Sequence, residues 1–250
     1  SKLEGFGQKS EEKILRGIEF LKKHSGRYVL GFVLPEIREI AARLDKHPHT
    51  DKVVICGSIR RMQETIGDAD IIVISTKPDA VMTDFVNMPE VGSVVAHGKT
   101  KSSVKLKNGL EIDLRIVPPE SFGAAAQYFT GDKNHNVELR KIAIDRGYKL
   151  NEYGLYENKK LIQIVGGSEE DIYRELGMDF IPPELRTASG EIEAAQNHKL
   201  PKLIGYNDLK CDLQVHTNWS DGENSIMEMA KAAIEVGLQY IAITDHTKSL

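Results

Sequence analysis

Cysteine is scarce: Cys56 and Cys211 lie far apart inside apolar, strand-like segments, which reads as reduced core thiols rather than a disulfide framework. No internal repeat or low-complexity tract is present, which excludes solenoid and fibrous designs. No apolar run approaches the roughly 20 residues that cross a bilayer. The opening Ser1-Lys2-Leu3-Glu4 lacks the basic-then-apolar pattern of a secretory signal, so the expectation is a cytoplasmic chain with no membrane partner. A basic excess is missing too. The formal net charge of −4 does not by itself mark a chain that binds polyanions. What is present is an ordinary globular composition: 250 residues, 40% hydrophobic and 28% charged, enough for one or two domains. Charge distribution is more informative than its sum, because Lys99, Lys101, Lys105 and Lys107 fall within nine residues that contain no acid.

Periodicity divides the chain. Apolar residues at helical spacing predict a helix over 10–23 and a second starting near Pro35 with Ile37, Ile40, Ala41 and Leu44 on one face. The period then shortens, predicting strands over 52–56, 70–75, 91–96, 103–106 and 110–117, with helical patterns after Ser58 and after Pro78. Beyond Pro118-Pro119 the pattern is helical through Phe129 and again over 135–146. A strand-rich patch follows over 148–164, then a short helix capped by Ser168. Pro182-Pro183 opens a stretch that reads as irregular linker with one helical turn at 191–196. Strand, helix and strand recur at 210–215, 226–236 and 240–244, a single βαβ unit too small to bury both faces of its sheet. Exposed apolar faces there predict either disorder after about residue 205 or packing against a neighbour.

Carboxylates carry the chemistry. Strand side chains alternate, so Asp68 and Asp70 point to one face at a strand's entrance, where two anions can share hard cations. Asp113, between Ile112 and Leu114, needs a partner or a metal, since a buried unpaired carboxylate is costly. Three such groups can hold two magnesium ions about 3.5–4 Å apart, an arrangement suited to phosphoryl transfer. The structural alternatives are a turn role for Asp68 and an ion pair of Asp113 with Arg115. Gly57-Ser58 follows a strand and opens a helix, where a glycine lets backbone approach a phosphate. Of the neighbouring Arg60 and Arg61, Arg61 is the expected phosphate donor.

Gly57-Ser58-Ile59-Arg60-Arg61, Asp68-Ala69-Asp70 and Tyr128-Phe129-Thr130-Gly131 together resemble the family X DNA polymerases. Asn134-His135-Asn136, Arg140 and Leu150-Asn151-Glu152-Tyr153-Gly154 are similar to the bacterial and archaeal branch. The resemblance implies an α+β fold: a helical segment over 1–48, a nucleotidyltransferase palm with a mixed sheet over 49–118, and a small α/β nucleotide-binding thumb over 119–181. A linker over 182–207 and the start of a PHP domain over 208–250 would follow. It further implies that Asp68, Asp70 and Asp113 bind two Mg2+ ions, with Mn2+ the alternative. Gly57, Ser58, Arg61, Gly67 and, less directly, Arg27 would hold a deoxynucleoside triphosphate. Tyr128, Phe129, Thr130 and Gly131 would flank its sugar, Asn136 would reach the base's minor-groove edge, and Arg140 the template. Arg115 and Glu152 resemble a pair that reports subdomain closure, or a plain ion pair. Gly5-Phe6-Gly7 resembles a hairpin-helix-hairpin in which Gly5 and Gly7, with a monovalent cation, grip a DNA phosphate. The expected partner is primer-template or gapped DNA, and the expected state a monomer.

Asp212 to Gly222 and Thr244-Asp245-His246 resemble the first two motifs of the PHP domain, so His216, Asp221 and His246 are candidate metal ligands. Gln214 stands where that family usually has a histidine, and amide is a poor ligand for a transition metal. These residues alone are therefore not expected to support exonuclease activity. The expected function is DNA-directed DNA synthesis in short-gap repair. Its alternatives are template-independent nucleotidyl transfer and a non-catalytic module that holds DNA ends.

Overall fold

The apolar stripe around Pro35 begins earlier than its sequence signal. The computed structural model, which describes residues 26–157 and 162–247, forms a helix, α1, at Leu30–Asp45, and its buried face includes Leu30 and Val33 besides Ile37, Ile40, Ala41 and Leu44. Pro35 therefore lies inside the helix rather than at its start. Burying two more aliphatic side chains, worth about 1.5–3 kcal/mol each, outweighs the one backbone hydrogen bond that proline removes. The helix expected over 10–23 and the Gly5-Phe6-Gly7 turn lie outside the described residues.

The main sheet has five strands: β2 (Thr50–Ile55), β4 (Asp68–Ser75), β5 (Val91–His97), β6 (Lys101–Leu106) and β7 (Glu111–Ile116), in the order β2-β4-β7-β6-β5. The β4–β7 pair is parallel and the other pairs are antiparallel, which makes the sheet mixed. A two-residue strand β1 (Tyr28–Val29) pairs with β3 (Thr65–Ile66) at one end of α1. Alternation in β6 and β7 is strict: Ser102, Val104, Leu106, Ile112, Leu114 and Ile116 are buried, while their neighbours are half-buried or exposed. The buried face packs with α1 and with Val81, Met82 and Phe85 of α3 (Pro78–Val86), which follows the single-turn α2 (Gly57–Arg60) in the chain. Only the opposite face of β4 and β7 is left to carry polar chemistry.

A second core collects α4 (Phe122–Thr130), α5 (Lys133–Asp145), strands β8 (Tyr148–Asn151), β9 (Gly154–Glu157) and β10 (Ile162–Val165), α6 (Glu169–Glu175) and α7 (Glu191–Gln196). Chain ends of these helices are satisfied by side chains. Asp132 accepts from the amides of Asn134 and His135 to cap α5, and Ser168 accepts from that of Asp171 to cap α6. The expected linker over 182–207 departs from the structure. Ile192 and Ala195 of α7 are buried with Tyr173 and Leu176, and Leu185 and Leu200 pack on the same cluster. Its prolines suggested loose chain, but the apolar side chains that follow them are claimed by this core. The first of two compact units runs through Leu200.

Helix α4 docks closely on the turn before α6. The Ala124 amide donates to the Gly166 carbonyl at 2.7 Å, and a Cβ at Gly123 would lie 2.2 Å from the Ser168 carbonyl carbon. Gly123→Ala is accordingly expected to destabilise this unit by about 1–3 kcal/mol, despite alanine's better helix propensity. Urea unfolding checks it, and an unchanged or raised midpoint would refute the close approach.

The second unit, from Pro201, forms β11 (Cys211–Val215), α8 (Ile226–Glu235) and β12 (Tyr240–Ile243), with β11 and β12 parallel. Ser225 and Glu228 close a reciprocal capping box at the start of α8. No residue of α8 is buried, and Met227, Ile234, Val236 and Trp219 are all exposed, as a lone βαβ unit requires. Among the described residues no helix is long and apolar enough to cross a membrane.

Candidate active site

Parallel pairing sets Asp70 directly opposite Asp113 and Asp68 opposite Glu111, so alternation brings Asp68, Asp70 and Asp113 onto one face of the sheet. One step further, Ile72 on that same face is covered by Phe122 and Ala125 of α4. The carboxylates thus sit where the sheet emerges from beneath α4. Burial, reinforced by the charges of Asp68 and Asp113, pushes the Asp70 carboxyl up from the usual 3.8 to about 6. Asp113 behaves oppositely. Burial would raise its pKa, but hydrogen bonds from Lys101 and Ser103 outweigh it and hold it below the usual range. Lys101 Nζ lies 2.7 Å from Oδ2, Ser103 Oγ donates to Oδ1 at 2.5 Å, and Arg115 stands 3.6 Å away. The Arg115 pairing weighed from sequence is therefore the longer contact, and Lys101 the closer partner.

Gly57 follows β2 at φ +66°, and a Cβ there would lie 3.2 Å from Asp70 Oδ2, so backbone can sit against the carboxylate only because the side chain is absent. Ser58 is half-buried, and its hydroxyl has no protein partner among the described residues. Arg60 and Arg61 divide their work. Arg60 donates to Thr130 Oγ1 at 2.8 Å and to Glu169 at 2.6 Å, tying the sheet side to the second core. Arg61 donates to the Thr130 carbonyl, and Gly131 lies against its guanidinium. On the other side, Arg27 donates to Thr65 and stands beside Gly67, which brings two distant sequence candidates together.

Tyr128 and Phe129 meet edge to face with centroids 5.0 Å apart, and the Arg115 guanidinium lies 4.3 Å over the Phe129 ring. Glu152 and Tyr153 line a cavity of about 200 Å³ with Arg115 and Phe129. Among the described residues no plain ion pair joins Arg115 to Glu152, and Arg115 instead contacts Phe129 and Asp113. Asn136 is held from both ends: Gln127 donates to its carbonyl at 2.7 Å, and its amide nitrogen donates to the Tyr128 carbonyl at 2.8 Å.

Stretches of this chain match known proteins. A family model described as the DNA polymerase beta thumb matches residues 125–187, and a PHP domain model matches 212–249. The DNA polymerase/3'-5' exonuclease PolX of Bacillus subtilis is 40% identical over 251 residues, covering 99% of this chain and 44% of that protein. This chain is similar to the family X DNA polymerases. It spans less than half the length of that relative. The Repair DNA polymerase X of African swine fever virus (isolate Tick/South Africa/Pretoriuskop Pr4/1996) is 27% identical over 143 residues, covering 54% of this chain and 80% of the viral protein. A solved structure of Leishmania infantum polymerase beta, a ternary P/T complex, aligns with TM-score 0.56 and 23% identity over 74% of this chain and 84% of its own, a likeness of fold.

Family X members are nucleotidyltransferases, and the family implies a divalent metal. The donors fit such an ion: Asp68 and Asp70 offer hard carboxylate oxygens on one face, and burial, then the neighbouring charges of Asp68 and Asp113, raise the Asp70 pKa beyond what Arg115 and Lys101 offset. Asp113 is turned to Lys101 and Ser103 instead. Among the described residues the three carboxylates do not close into one ligand cluster. The cluster that does close is His216, Asp221 and His246, whose ligand atoms lie within 4.8 Å of one another, with His216 Nδ1 2.9 Å from Asp221 Oδ1. Gln214 is exposed on the strand leading to it.

Several working residues escaped sequence reasoning. Lys101 and Ser103 belong to a strand two places from β4 in the sheet, and only register shows that Ser103 faces Asp113. His135, fully buried, joins Glu191 at 2.7 Å through Nδ1 and the Tyr173 hydroxyl at 2.9 Å through Nε2. It thereby braces α5 beside Asn136. A histidine next to the Asn136 motif was visible, but its partner 56 residues on was not.

Proposed function

We propose that this chain adds deoxynucleotides to a DNA primer 3'-hydroxyl under template direction, in the filling of short gaps during repair. The observation that carries this reading is the parallel register of β4 and β7, which sets Asp70 against Asp113 and Asp68 on the same face, with Gly57-Ser58 alongside. Two bound magnesium ions would supply charge stabilisation for attack of a hydroxyl on the α-phosphorus and departure of pyrophosphate. In this reading Ser58, Gly67, Arg61 and Arg27 hold the triphosphate, and Arg60, committed to Thr130 and Glu169, holds the two cores together. Tyr128 and Phe129, with Thr130-Gly131, wall the sugar. The Asn136 amide nitrogen keeps one hydrogen for a minor-groove acceptor after bonding the Tyr128 carbonyl. Arg140, half-buried, has no partner among the described residues and is free for the template strand. Gly5 and Gly7, with a monovalent cation, remain our assignment for a DNA phosphate contact. His216, Asp221 and His246 take no part in the transfer and form a partial cation site.

A gapped duplex carrying each of the four template bases tests this directly. The expected result is a product dictated by the template base, with magnesium required. The same product from all four templates would overturn the templated reading in favour of terminal transfer.

A further inference from the structure

Resting on the reading above, the structure assigns Lys101 a role of its own: we propose that its ammonium is a built-in counter-cation to Asp113 that competes with a divalent ion for the same carboxylate. Both Asp113 oxygens are engaged by one strand. Lys101 takes Oδ2 at 2.7 Å and Ser103 takes Oδ1 at 2.5 Å. Register explains the arrangement, because Ser103 is the cross-strand partner of Asp113 and Lys101, two residues earlier in β6, emerges on the same face. Asp68 and Asp70 stand on this face as well, yet both Asp113 oxygens are held by these two donors, and among the described residues the three carboxylates do not close into one ligand cluster. A hydroxyl is a compatible neighbour for a metal-bound carboxylate. An ammonium 2.7 Å from the ligand oxygen is not, since it would add like charge at the position a divalent ion needs.

The lysine is also free to leave. Its side chain is 43% exposed, against 28% for Asp113, so swinging outward strands no buried cation, and the group it would meet outside is either water or a nucleic-acid phosphate. Arg115, 3.6 Å from Asp113 and stacked on Phe129, is anchored and cannot take the same part. Lys101 therefore keeps Asp113 paired until a divalent ion, helped by a phosphate that attracts the lysine, displaces it.

The test is a Mn2+ titration of the whole chain followed by electron paramagnetic resonance, without DNA or nucleotide. Lys101→Met, which keeps length and apolar stem, is expected to bind Mn2+ about threefold to fivefold more tightly than the wild type, the range a partly exposed ion pair allows. Lys101→Arg should stay near the wild type because it retains the cation. The gain should vanish in Lys101→Met combined with Asp113→Asn. Equal affinity of Lys101→Met and the wild type would overturn the proposal, as would a gain that survives Asp113→Asn. Because no transfer is measured, either result leaves the polymerase reading standing, and a failure of templated incorporation leaves this one standing.

Discussion

Asp70→Asn is expected to lower nucleotide incorporation by at least about 10³-fold while making the protein more stable at pH 8. The first effect follows from removing one of the carboxylates that the proposed mechanism shares between two bound ions, whose charge stabilisation is worth several kcal/mol. The second follows from the burial of Asp70 at the edge of α4, beside Asp68 and Asp113. Its carboxyl is raised from 3.8 to about 6, so ionisation opposes folding. Below about pH 4 the group is protonated in both the folded and unfolded chain and nothing is lost. Between about 4 and 6 the unfolded chain ionises first and stability falls; above about 6 the full penalty stands. At roughly 1.4 kcal/mol per pKa unit, that penalty is on the order of 2–3 kcal/mol. Asparagine removes it, so the variant's thermal midpoint in a metal-chelating buffer should exceed the wild type's at pH 8, with the difference closing toward pH 4. A variant that keeps more than a tenth of wild-type incorporation would sink the catalytic assignment. One less stable than the wild type at pH 8 would sink the electrostatic account.

Glu169→Gln is expected to cost about 3–5 kcal/mol of folding free energy, the scale of breaking a buried charge pair from one side. Glu169 is 7% exposed and binds two guanidinium groups, Arg60 at 2.6 Å and Arg186 at 2.8 Å. Burial opposes the charge on Arg60, and the Glu169 carboxylate more than restores it. Arg186 is wholly enclosed, donates to the Ile181 carbonyl and lies over Tyr173 and Phe180. Its second terminal nitrogen already has no partner, so the neutral amide would leave one buried and one half-buried cation against no anion. A drop in urea midpoint with an unchanged slope is the signature sought. A loss below about 1 kcal/mol would mean that both arginines find other partners or water.

Local rules made much of the fold legible. Alternation in Lys101–Leu106 and Glu111–Ile116, and 3.6-residue spacing in Lys133–Asp145, are properties of adjacent residues, and those elements form near where periodicity puts them. Packing overrode the local signal in two places. Pro35 marks a boundary in sequence, yet Leu30 and Val33 gain enough by burial to extend the helix past it. Pro182-Pro183 signals loose chain, yet Ile192 and Ala195 are buried in the core built by α4 to α6.

The candidate site divides along the same line. By itself the sequence determined which carboxylates could meet a metal, because Asp68 and Asp70 share a strand face by chain geometry and an aspartate between Ile112 and Leu114 demands a counter-charge. Only tertiary structure decided what supplies that charge. Sheet order and register are long-range, and they aim Lys101 and Ser103 at Asp113, leave Asp70 with like charges and little water, and commit Arg60 rather than Arg61 to Glu169. A partner 10, 12 or 109 residues away leaves no trace in local periodicity, since the field at a carboxylate depends on which strands lie beside it.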